Sequence, residues 1–95
     1  MEKHNELPIP DAARFDKDAL ELVRVWAAGG KQLATVATNI WEDPAAWGIM
    51  LVDLARHVAD SYARDEGRDT KEVLDRIKQG FDVEWENPTD KPNGM

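Results

Sequence analysis

The interior of the chain holds one histidine, His57, in the stretch "DLARHVAD", with Asp53 four residues before it and Asp60 three after. On a helix these three side chains share one side. A carboxylate beside an imidazole orients a general base and tunes its pKa. Arg56 and Arg64 lie close enough to engage the same acids, however, and ion pairs at such spacings are common on solvated helix surfaces. The plainer expectation is a boundary histidine on a wet face, and no residue is assigned a catalytic role.

Four tryptophans in 95 residues are the other side chains with chemistry to offer. Trp41 and Trp47 flank an Asp-Pro step in "NIWEDPAAWGIML", and Trp26 and Trp85 complete the set. Each buried tryptophan removes about 150–250 Å² from water. The first expectation is therefore structural, with Trp41 and Trp47 clamping the preceding element onto the helix that follows. The alternative is a ligand-binding cage drawn from Trp26, Trp41, Trp47 and Trp85.

Other chemistry has little material. With no cysteine, a zinc site would need carboxylates gathered around His57. The loop "ARDEGRDTKE" lacks the alternating acids of a calcium-binding loop, so no metal and no cofactor are expected. Ser61, the only serine, has no glycine elbow around it. Gly29 and Gly30 belong to no phosphate-cradling pattern.

Composition narrows the partners. A net charge of −7 opposes the phosphate backbone, so neither nucleic acid nor an anionic membrane surface is expected. No run of 18 apolar residues is present and the first residues lack a signal-peptide core. The absence of cysteine suits a reducing compartment. The chain reads as soluble and cytoplasmic.

The elements that would position these residues can be read in outline. Residues 18–30 fit either a helix, with Ala19, Leu22, Val23 and Trp26 on one face, or a strand. The alternating "KQLATVATN" after Gly29-Gly30 favours a hairpin, because glycine supplies the positive φ of tight hairpin turns. Asp43 and Pro44 then start a helix with Trp47, Met50, Leu51, Leu54, Val58 and Tyr62 in one stripe, ending near Glu66-Gly67. Asp69 and Glu72 start another, with Val73, Leu74, Ile77, Phe81 and Trp85 in its stripe. Gly80 lies inside it, at a close contact or a kink.

The expected fold is α+β: an N-terminal β-hairpin followed by two antiparallel α-helices, with disordered tails. Residues 1–17 read as a flexible segment, 18–86 as a single small α+β domain, and 87–95 as a flexible tail. "LVRVWAAGG", "WEDPAAWGIMLVDLARHVADSYA" and "VLDRIKQGFDVEWENPTD" together resemble an uncharacterised bacterial family, domain-of-unknown-function family 5076, over about residues 20–90. The resemblance implies a small bacterial protein of one domain and brings no activity with it.

Ile49 and Val52 point away from the main stripe of the first long helix. With so small a core and with unpaired hairpin edges, they suggest a homodimer interface, or a surface for another protein partner. The expected function is a self-associating interaction module without catalysis. The rivals are a small-molecule binder with a tryptophan-lined pocket and an enzyme using His57.

Overall fold

The hairpin forms where glycine permits it. Strands β1 (Val23–Ala28) and β2 (Lys31–Val36) pair antiparallel in register from Val23↔Val36 to Ala28↔Lys31. Gly29 and Gly30 take φ of 59° and 75°, the two consecutive positive values of a two-residue turn matched to strand twist. Strand therefore prevails over helix here. The Ala37 N–H donates to the Leu22 carbonyl at 2.9 Å and extends the ladder by one pair.

The computed structural model describes residues 5–89. It divides into two units between Glu42 and Asp43. In the first, a single helical turn, α1 (Asp11–Arg14), precedes the hairpin. It lies within the stretch expected to be flexible. The cause is local: Pro10 fixes φ at −57°, and its carbonyl accepts from the Ala13 and Arg14 N–H groups at 3.0 and 2.9 Å. Glu6 reaches Arg24 on β1 at 3.5 Å, and Arg24 also meets Glu21 at 3.1 Å. The flexibility read for residues 1–4 and 90–95 lies outside the described residues.

The second unit is a helical hairpin of α2 (Ala45–Glu66) and α3 (Thr70–Glu86). An Asp43 carboxylate oxygen accepts from the Ala45 N–H at 3.0 Å, and Pro44 takes the cap position, so the helix begins one residue later than expected. Gly67, with φ of 68°, ends α2 in the left-handed conformation and donates to the Ala63 carbonyl. Asp69 caps α3 by accepting from the Glu72 N–H at 3.0 Å. The connection is only Gly67 to Asp69, so the packed helices run antiparallel. Past α3, Thr89 donates its N–H and hydroxyl to the Glu84 carboxylate at 2.9 and 3.0 Å.

The core of this unit corrects the reading of α2. The buried residues are Ala59 and Val73, one on each helix. Ala55 and Ala63, one turn to either side of Ala59, are half-buried. The seam toward α3 is thus built of alanines at i, i+4 and i+8. The expected stripe stands roughly a quarter-turn away: Trp47 and Met50 in it are half-buried, but Leu51, Leu54, Val58 and Tyr62 keep 48, 46, 39 and 37% of their surface in water. Small side chains let two helix backbones approach closely, and larger ones at the seam would hold them apart. On α3 burial fades along the helix, from Val73 through half-buried Leu74 and Ile77 to exposed Phe81 and Trp85.

Candidate functional site

The apolar row of α2 is the most continuous exposed feature of the helical unit. Leu51, Leu54, Val58 and Tyr62 recur at intervals of three and four residues, which keeps them on one side over several turns. Half-buried Trp47 lies at the N-terminal end of the row. At the other end the Arg68 guanidinium sits 5.2 Å from the centre of the Tyr62 ring and gives the row a polar boundary. Ile49 and Val52, the interface candidates, are exposed at 66 and 49%. They lie on the same helix but off this row.

The four tryptophans fall on different elements. Trp26 is half-buried on β1 and Trp41 is exposed near the end of the first unit. Trp47 opens α2, and Trp85 lies near the end of α3, 73% exposed. Its ring stacks on Phe81, with centroids 5.6 Å apart, a pair that i,i+4 spacing brings together. Trp26 also lines an open cleft of about 730 Å³ in the first unit, with Leu7, Ile9, Arg14, Leu20 and Val25.

His57 lies exposed on α2. Its backbone carbonyl accepts from the Ser61 hydroxyl at 3.1 Å. Asp53 pairs with Arg56 at 3.7 Å, and Arg64 pairs with Asp65 at 3.2 Å. The arginines flanking the histidine thus make the ordinary ion pairs of a wet helix face. Among the described residues no group of three or more His, Asp or Glu is placed to hold a metal ion, and no helix is long and apolar enough to cross a membrane. Lys71 has a pKa raised above its ordinary value, first by its hydrogen bond to the Asp75 carboxylate, at 2.9 Å, and then by the charge of Asp75. Its side chain is exposed on α3.

Reasoning from the sequence assigned the α2 row to the core. The signal that separates the two sides is the Ala55, Ala59, Ala63 series, which marks the close-packed seam and leaves the larger side chains over.

A model of a domain of unknown function, DUF5076, matches residues 6–89. The chain belongs to this family. A solved structure from the photosynthetic bacterium Rhodopseudomonas palustrus CGA009, of a protein provisionally named a pyruvate dehydrogenase, is similar at 35% identity. It superposes with a TM-score of 0.74, and the match covers 100% of this chain and 97% of that one. No curated protein matches.

Proposed function

We propose that this member of the DUF5076 family is a self-associating protein-interaction module without catalytic activity, acting as a homodimer in the cytoplasm. The observation that carries the reading is the uncovered apolar surface of the helical unit. Nine large apolar side chains, from Ile49 on α2 to Trp85 on α3, are each more than a third exposed. Of these, Leu51, Leu54, Val58 and Tyr62 share one side of α2, so a single partner can cover them together. A contiguous exposed apolar row with a polar rim marks a contact site on a soluble chain. Exposed His57, with its neighbouring arginines engaged by carboxylates, supports a non-catalytic reading, and the lack of cysteine suits the cytoplasm.

The test is the solution mass by size-exclusion chromatography with light scattering over a range of concentrations. A dimer is expected, and Leu54→Asp with Val58→Asp should yield a folded monomer. A wild-type chain that stays monomeric at high micromolar concentration would end the proposal. The name of the similar structure supplies a second check, because pyruvate-dependent oxidation by the purified chain would overturn the non-catalytic part.

One observation favours a second reading, a small-molecule binder: half-buried Trp26 faces the open cleft beside Leu7, Ile9 and Leu20. Ligand entry should shift tryptophan emission, and the shift should vanish in Trp26→Phe. Unchanged emission across a broad metabolite set would remove this reading.

A further inference from the structure

The hairpin differs from the rest of the chain in its charge. Asp and Glu number 19 in 95 residues, yet none lies between Glu21 and Glu42, a stretch that carries Arg24 and Lys31. Two copies of a chain with net charge −7 repel each other, and they repel least where acids are absent. Within this stretch all six residues of β2 are exposed. The sheet among the described residues has two strands, so the outer edge of β2 is open.

The far side of β1 is different. Val23, Arg24, Val25 and Trp26 line one cleft together with the segment that contains Pro8 and Pro10, and Glu6 fixes Arg24 there. Prolines beside an edge are a recognised guard against further strand pairing. β2 has no such guard. It contains no proline, its register is unbroken by a bulge, and its single charge is Lys31 at the turn.

We infer that β2 pairs antiparallel with β2 of a second copy, joining two hairpins into one four-stranded sheet across a two-fold axis. The inference rests on the self-association proposed above and names a contact surface for it in the first unit. The Leu22–Ala37 hydrogen bond sets the phase of the ladder. Alternation from that bond turns the N–H groups of Lys31, Leu33 and Thr35 toward β1 and those of Gln32, Ala34 and Val36 outward. Pairing centred on Ala34 sets Ala34 of each copy opposite Ala34 of the other and Gln32 opposite Val36, and it leaves Lys31 opposite Ala37, so no like charges are opposed. A two-stranded ribbon is marginal in water, and four strands remove that weakness. The pairing is self-complementary, as a two-fold contact requires.

The test uses the full chain. Amide exchange is followed by NMR at several concentrations, with the mass of each sample measured by light scattering. In the dimer the Gln32, Ala34 and Val36 amides should exchange at least about tenfold more slowly than in dilute monomer, as expected for amides that gain a hydrogen bond. Ala34→Pro removes an outward donor and spares the β1 ladder, so it should weaken the dimer by about tenfold or more. Leu33→Pro removes an inward donor and should break the hairpin itself. A dimer whose three outward amides exchange at open-edge rates overturns the inference and leaves self-association standing, as does one that Ala34→Pro leaves equally tight. A chain that is monomeric throughout overturns both.

Discussion

Gly80 is the residue whose role the sequence left open, between a close contact and a kink. A Cβ built there meets nothing within 4 Å in the described chain, so no close approach inside it demands glycine. Glycine in a helix interior costs about 1 kcal/mol relative to alanine. Gly80→Ala should therefore raise stability by about that amount in urea titrations of the monomer, and a loss would reveal a contact outside the chain. Asp69 is the opposite case. Its carboxylate satisfies the Glu72 N–H, and Asp69→Ala should lower stability by about 1 kcal/mol. The Asp69 cap was legible because a cap is a local bargain between one side chain and the backbone beside it.

At the scale of elements, α2 has an alanine seam on one side and a row of larger apolar residues on another. Substitutions on the two sides should differ in kind. Ala59→Leu forces extra methylene groups into the close-packed seam and should cost about 1–3 kcal/mol. The pair Leu54→Asp and Val58→Asp should leave far-UV circular dichroism unchanged while altering the mass. If that pair unfolds α2 instead, the row belongs to a core. The hairpin was readable from Gly29-Gly30 and the alternation around it, whereas α1 was missed because one turn carries too few residues to show a period.

At the scale of the molecule, charge and apolar surface oppose each other. With 19 acids against 12 bases, copies repel, while the exposed apolar side chains gain by meeting. Salt screens the first effect over about 10 Å at 0.1 M and less at higher concentration, and it leaves the second in place. Raising sodium chloride from about 20 mM to about 500 mM should therefore tighten the proposed dimer. Analytical ultracentrifugation at both salts would measure this. Weakening with salt would point to ion pairs as the main attraction.

The sequence by itself determined where the two long helices run and where each stops, and it favoured a hairpin at Gly29-Gly30, because those choices rest on neighbours along the chain. It also carried the family resemblance. Only the tertiary structure decided which side of α2 meets α3. Hydrophobic periodicity reports that a helix has apolar residues over a wide arc, but not which part of the arc a partner will cover. That choice belongs to the distance between two helix axes. Ala55, Ala59 and Ala63 permit a close approach, and Leu51, Leu54, Val58 and Tyr62 are left facing outward.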